Sequence, residues 1–351
     1  MDIHIVKREK VRMGVVGCGT VSSYGHIPAI AQSDMAELVA FVDPNRERLE
    51  AQVKKYNKPG YARFEDMIAH EKLDAVAIPT HPDIKLDMCR IAAENGLHAF
   101  CEKPLTDDVA QAEELLRVMD EKGLFVGVSF VYRGKKIIQR MMELAGDGAI
   151  GKVKAVHIQN LWDYHGLRDV AHRGDRRRRA LENLGTLDCG VHHLDLARYM
   201  SGGNFSTLRA MGDVVETENV FPDHIVVQAR MDNGVLVSIE ESGVYGYTAK
   251  ERPVYVQSYR MIGERGVLSA DLEKHVGDPP KSELYVISGE KQWCEHVPAD
   301  KAWDETYAQF LQIILGKQPE KTFIANGHDG LINMQVARDV IAQCQAGMHG
   351  V

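Results

Sequence analysis

The chain has 351 residues, 44% of them hydrophobic and 26% charged, which predicts about two globular domains and excludes a small scaffold stapled by disulfides. Its formal charge is −8, from 42 Lys+Arg against 50 Asp+Glu, so neutralising a phosphate backbone is not its work and nucleic acid is not an expected partner. The first dozen residues lack an apolar core and no long apolar run follows, so neither a signal peptide nor a membrane span is expected, and the cytoplasm is the default compartment.

From Lys10 onward, β-rich runs alternate with helical ones. Val11 to Gly17 reads as a strand, Ile27 to Gln32 as a helix, Ala36 to Asp43 as a strand and Arg46 to Tyr56 as a helix. Ala75 to Pro79 and His98 to Glu102 are further strands around a helix at Ile84 to Asn95. The amphipathic stretch Asp107 to Lys122, stopped by Gly123, precedes an apolar strand at Leu124 to Phe130. Strands separated by helices predict a doubly wound parallel sheet, a Rossmann-type α/β domain over residues 1–130.

Beyond residue 130 the pattern shifts to longer β segments at Lys152 to Leu161, Ile225 to Met231, Val235 to Glu240 and Val254 to Ile262. Asp232-Asn233-Gly234 is a strong hairpin signal, so antiparallel or mixed pairing is expected. Residues 131–351 therefore read as an α+β domain with an open, mostly antiparallel sheet, closed by helices at Trp303 to Leu315 and Asp329 to Ala346. Six cysteines lie far apart with no C-x-x-C pair, as expected for reduced thiols rather than a zinc site.

Gly14-Val15-Val16-Gly17-Cys18-Gly19 places G-x-G between a buried strand and a helix, the context that dinucleotide binding requires. Gly17 permits the tight turn and Gly19 a close backbone approach to a pyrophosphate, which then meets the helix N-terminus at Thr20 and Val21. Ser22 stands where a third glycine is usual. At the end of the next strand, Asp43 can accept hydrogen bonds from both adenosine ribose hydroxyls and would repel a 2′-phosphate, which favours NAD over NADP. An Asp-Pro turn at Asp43-Pro44 is the plainer reading of that carboxylate.

The strand at His98 ends in Glu102-Lys103-Pro104, where a lysine can donate to a substrate hydroxyl beside the nicotinamide or simply stand exposed before a proline. With this motif the chain resembles the Gfo/Idh/MocA oxidoreductase family. The resemblance rests on the glycine turn, Gly25-His26-Ile27-Pro28, Glu102-Lys103-Pro104, Gly148-Ala149-Ile150-Gly151, Asp188-Cys189-Gly190-Val191-His192-His193-Leu194-Asp195 and Gly263-Glu264-Arg265-Gly266, in order. It implies Lys103, Asp188 and His192 as the catalytic set, with Glu102 beside the cofactor. Asp188 and His192 are four residues apart and share a helix face; His192 suits a general base, Lys103 a hydroxyl-polarising cation, and Asp188 an orienting group. Without the resemblance, the Asp188 to Asp195 cluster reads as a capped helix turn or a metal cluster, and no metal is expected.

The chain also departs from the family pattern. Thr80-His81-Pro82-Asp83-Ile84-Lys85 stands where T-P-x-x-x-H is usual. Thr80, His81 and Lys85 are expected near the cofactor crevice, with Lys85 serving an anionic group or capping a helix. In the family, the stretch before the catalytic helix helps form the substrate pocket; here it offers Trp162, Tyr164, Arg173 and Arg176, with Tyr132 a further candidate. Aromatic rings stack on sugar faces and arginines bind carboxylate or phosphate, although a run such as Arg176 to Arg179 is more often a solvated face.

The expected function is NAD-dependent oxidation of a secondary hydroxyl on a sugar, sugar acid or cyclitol. Two alternatives stand beside it: an NAD-dependent glycoside hydrolase working by transient oxidation and elimination, and a non-catalytic dinucleotide-sensing regulator. The open second sheet, with the resemblance, implies a homodimer or homotetramer.

Overall fold

The computed structural model describes residues 3–162, 187–215, 221–244, 255–274, 282–298, 300 and 302–348. They divide into two compact units, Met1–Gly134 with Lys301–Met334, and Lys135–Asp300 with Gln335–Val351. The elements begin with β1 (Val11–Val16), a helical run ending in α1 (Ile27–Gln32), β2 (Ala36–Val42), α2 (Arg46–Tyr56), β3 (Gly60–Tyr61) and α3 (Phe64–His70). Next come β4 (Ala75–Ile78), α4 (Lys85–Glu94), β5 (His98–Cys101), α5 (Val109–Asp120), β6 (Val126–Val128) and α6 (Lys136–Gly146). The second unit adds β7 (Val153–Trp162), α7 (Leu187–Ser201), β8 (Phe205–Asp213), β9 (His224–Met231), β10 (Leu236–Ser242), β11 (Tyr255–Gly263), β12 (Gly266–Lys274), β13 (Glu283–Ser288) and β14 (Lys291–His296). Then follow α8 (Trp303–Ile314), β15 (Ala325–Asn326) and α9 (Gly327–Met348).

The first unit is a seven-stranded sheet ordered β15-β6-β5-β4-β1-β2-β3, parallel except for β15. This is the doubly wound Rossmann order with one added edge strand. β4 and β5 are buried throughout, which is why they read as unbroken apolar runs rather than alternating ones. The Asn45 side chain caps α2 by accepting the Arg48 N–H, and Asp108 caps α5 by accepting the Gln111 N–H.

The helix at Trp303, expected in the second domain, belongs to this first unit. Tyr307, Phe310, Leu311 and Ile314 recur at helical spacing and are each 0% exposed, in one core with Val11, Met13 and Phe100. The Phe100 ring lies 4.4 Å from that of Tyr307 and 5.3 Å from that of Phe310, centroid to centroid. Such a stripe announces a buried helix face without saying which sheet it covers. The first domain is therefore discontinuous in sequence.

The second unit holds an eight-stranded sheet ordered β14-β13-β12-β11-β7-β10-β9-β8. All neighbours run antiparallel except β7 and β10, and β9 and β10 form the hairpin expected at Asp232-Asn233-Gly234. α7 packs on β7 and β10. The register puts Met211, Leu236, Tyr285 and Ile287 together on the opposite face, where they are 72%, 48%, 49% and 47% exposed. Among the described residues, no helix is long and apolar enough to cross a membrane.

Candidate active site

The carboxyl ends of β1, β2, β4 and β5 share one edge of the parallel sheet, so Gly17, Asp43, Thr80 and Glu102 follow strands that point the same way. Gly17 has φ +111°, and a Cβ there would lie 3.0 Å from Thr80 Cγ2 and 3.1 Å from the Pro79 carbonyl oxygen, so the turn admits only glycine. Gly19 differs: a Cβ there would meet no protein atom within 4 Å, so its smallness serves something other than internal packing. The backbone turns helical at Thr20 and Val21, and first-turn N–H groups lack acceptors one turn back, an arrangement suited to phosphate. The cradle at Gly19 and this helix start fit a dinucleotide.

Asp43 is 6% exposed and accepts from the Cys18 N–H at 2.7 Å and the Asn45 N–H at 2.8 Å. The carboxylate thus ties the glycine turn to the end of β2, and each oxygen keeps a second lone pair. Burial and the Asp43 charge push the Cys18 thiol up to about 12, which makes it inert.

The Glu102-Lys103-Pro104 turn is clamped from several sides. Glu102 Oε1 lies 2.9 Å from His26 Nε2, and Oε2 accepts the Lys103 N–H at 3.0 Å. His26, from the Gly25-His26-Ile27-Pro28 motif, also meets the Tyr307 hydroxyl at 2.7 Å through Nδ1. A ring donating from Nε2 to the carboxylate can accept there from the phenol, which burial and then the Glu102 and Cys101 charges keep protonated. Burial alone would raise the Glu102 carboxyl, but the hydrogen bond from His26 and then the Lys103 charge outweigh it and hold it at about 2.

Lys85 also belongs to this clamp. It opens α4, is 0% exposed, and its ammonium donates to the carbonyl oxygens of Glu102 and, at 2.5 Å, Pro104. The expectation of a cofactor contact is corrected here: the amine is turned inward and committed to main-chain acceptors under the turn that bears Lys103. Burial lowers Lys85 to about 8, against the opposing influence of Cys101 and Glu102. Thr80 and His81 follow β4 and are half-buried.

In the second unit, α7 carries Asp188 and His192 one turn apart, as the spacing predicts. The Asp188 side chain lies outside the described residues, whereas His192 is 9% exposed. Its neighbour His193 is 1% exposed and sets Nδ1 against the Glu241 carboxylate. Glu241 accepts from Asn160 Nδ2 at 2.8 Å, and Asn160 Oδ1 accepts from Gln257 Nε2 at 2.9 Å, in a row across β10, β7 and β11. Lys135 Nζ donates to Gln257 Oε1 at 3.2 Å and sits 5.8 Å from the Tyr259 ring centroid. Burial takes Lys135 down to about 7, with Asp300 opposing.

Of the expected substrate residues, Trp162 ends β7 and Tyr132 lies in the turn Val131–Gly134, both half-buried. Tyr164, Arg173 and Arg176 lie outside the described residues. The structure thus gathers Gly17, Gly19, Thr20, Val21, Asp43, Thr80, His81, Glu102 and Lys103 at one sheet edge. Asp188 and His192 share a helix of the other unit. Sequence reasoning missed the anchoring roles of His26, Lys85, His193 and Glu241; the unassigned Gly25-His26-Ile27-Pro28 motif was the one available signal.

Comparison with known proteins agrees with this architecture. Residues 11–130 match the family described as an oxidoreductase family with an NAD-binding Rossmann fold, and residues 138–269 match the GFO/IDH/MocA C-terminal domain. A dTDP-3,4-didehydro-2,6-dideoxy-alpha-D-glucose 3-reductase from Streptomyces violaceoruber is 27% identical over 74% of this chain and 72% of its own. A myo-inositol 2-dehydrogenase from Thermotoga maritima is 26% identical over 74% of this chain and 75% of its own. Among solved structures, an oxidoreductase from Agrobacterium radiobacter in complex with NAD+, L-tartaric acid and magnesium superposes with a TM-score of 0.82 at 16% identity, covering 96% of this chain and 97% of that one. With both halves matched in order on a Rossmann sheet and its mostly antiparallel companion, the chain belongs to the Gfo/Idh/MocA family of NAD-binding oxidoreductases.

Proposed function

We propose that the protein is an NAD-dependent dehydrogenase that oxidises a secondary hydroxyl of a sugar, sugar acid or cyclitol to a ketone or lactone, reversibly. The observation that carries this reading is the Glu102-Lys103-Pro104 turn at the edge of the dinucleotide-binding sheet. Its members are buried except Lys103, so the cation is what the turn presents there. The names of the relatives, a deoxysugar nucleotide reductase and an inositol dehydrogenase, support a polyhydroxylated substrate.

Bound nicotinamide supplies the acceptor for hydride. Lys103 donates a hydrogen bond to the substrate hydroxyl and holds the oxygen as it becomes a carbonyl. His192 takes the hydroxyl proton in its neutral form, and Asp188 orients that imidazole or binds a neighbouring hydroxyl. Gly17, Gly19, Thr20 and Val21 cradle the pyrophosphate, and Asp43 takes the ribose hydroxyls with its remaining lone pairs, which favours NAD over NADP. Thr80 and His81 border the nicotinamide, while Tyr132, Trp162, Tyr164, Arg173 and Arg176 contact substrate. Residues 1–130 form the core of the cofactor domain, and a second copy of the chain covers the outer sheet face in a dimer or tetramer.

The test is purified protein with NAD against aldoses, sugar acids, cyclitols and glycosides, following reduced nicotinamide and product release together. Stoichiometric NADH with one class establishes the dehydrogenase. Glycoside cleavage without net NADH, or NAD binding with no turnover on any class, overturns it.

A further inference from the structure

We propose that Lys85 is a positioning residue for Lys103: its buried ammonium, bonded to the carbonyl oxygens on both sides of Lys103, fixes the turn and sets a second positive charge beside the catalytic amine. This rests on the reading of Lys103 given above. The geometry is specific. Lys85 stands at the first residue of α4, after the sheet edge that follows β4, and reaches across to the end of β5. Its two acceptors are the carbonyls of Glu102 and Pro104, so the residue between them is held at both ends. From the other side, the Glu102 carboxylate is held by His26 and by the Lys103 N–H. Three elements distant in sequence thus converge on one side chain's backbone.

A buried lysine carries a large desolvation cost unless its charge is used, and an apolar side chain of similar length would fill the same volume without that cost. Main-chain carbonyls are partial negative charges that hold the ammonium in place, and the nearby Glu102 carboxylate is itself engaged by His26 and the Lys103 N–H. A like charge beside Lys103 makes the latter a stronger hydrogen-bond donor to an oxygen that is losing its proton. The groups facing Lys85 are Cys101, Glu102 and Lys103 from β5 and its turn, and Cys89 from its own helix. His26 holds the Glu102 carboxylate, and Tyr307 in turn meets His26.

Because burial holds Lys85 at about 8, the charge is present at neutral pH and is lost as pH rises through that value. Wild-type kcat/KM therefore falls above about pH 8. Lys85→Met is expected to lower kcat by an order of magnitude or more, roughly the loss a displaced catalytic group causes, with NAD affinity within about twofold of wild type. It is also expected to abolish the limb near pH 8. Lys85→Arg keeps the charge without titrating and should retain more of kcat while losing the same limb. Cys101→Ala removes a neighbour that raises Lys85, so its limb moves to lower pH rather than vanishing. A wild-type profile flat through pH 9 overturns the proposal whatever the variants do. So does a folded Lys85→Met or Lys85→Arg protein with the wild-type kcat and limb. Lys103→Ala, measured alongside, separates the two failures: if it retains turnover, the reading of Lys103 falls; if it loses turnover while the Lys85 variants match wild type, only this inference falls.

Discussion

The two units hold their candidate catalytic residues by the same device on different scaffolds. In the first, the buried anchor Glu102 precedes the half-buried Lys103 on a turn; in the second, His193 at 1% exposure follows His192 at 9% on a helix. The scaffolds differ in what grips the anchor. Glu102 and its turn are gripped through side chain and main chain, by His26 and Lys85, whereas His193 is set against Glu241, the start of a row of side chains with Asn160 and Gln257 laid across three strands, and stacks on Tyr259. A turn has no internal hydrogen-bond ladder to fix its shape, so its carbonyls need outside donors, while a helix satisfies its own backbone and needs only to be located.

Replacing the reacting members should separate chemistry from anchoring most sharply. Lys103→Ala and His192→Ala are each expected to lower kcat by roughly 1000-fold or more while NAD binding, followed by calorimetry, is retained. Normal turnover in either would break the parallel between the units.

Replacing the anchors should instead act on folding. His26→Ala and Glu241→Gln each leave a buried partner uncompensated and are expected to cost about 3 kcal/mol in urea unfolding. Acid tests the Glu102 clamp separately. Glu102 is held at about 2 against an ordinary 4.5, so its contribution is complete above pH 4.5 and is lost as pH falls toward 2. That loss is on the order of 3 kcal/mol, and Glu102→Gln should flatten the acid dependence of the urea midpoint. An unchanged acid profile in that variant would show that the clamp adds nothing.

The smallest effect on stability should come from the outer sheet face. Tyr285→Arg with Ile287→Asp is expected to change stability by less than about 0.5 kcal/mol in the isolated chain, yet to shift the mass measured by light scattering toward monomer. An unaltered mass would remove these side chains from the subunit contact.

Much of this was legible in the sequence because it follows from local rules. The strand-turn-helix at Gly17, the hairpin at Asp232-Asn233-Gly234 and the one-turn spacing of Asp188 and His192 each depend on a few adjacent residues. What stayed hidden depends on partners distant in sequence. β15 has two residues and carries no periodicity, so nothing announced that its segment returns to the first sheet. Lys85 meets backbone carbonyls, which every residue possesses, so no pattern of residue types marks its partners. Asp43 was legible as a carboxylate at the right strand end, but its two backbone donors at Cys18 and Asn45 were not.

The broken sequence of the first unit constrains how genes for such proteins can be spliced. A cassette ending at residue 134 would encode the glycine turn and Lys103 but leave behind Tyr307, the hydroxyl partner of His26, together with Phe310 and β15. Its product would expose the ring of Phe100 and carry a clamp lacking one member. A single crossover therefore cannot transplant this cofactor unit intact onto a new partner; three breakpoints are needed, near residues 134, 301 and 334, which favours divergence by point substitution within the pair over exchange of halves.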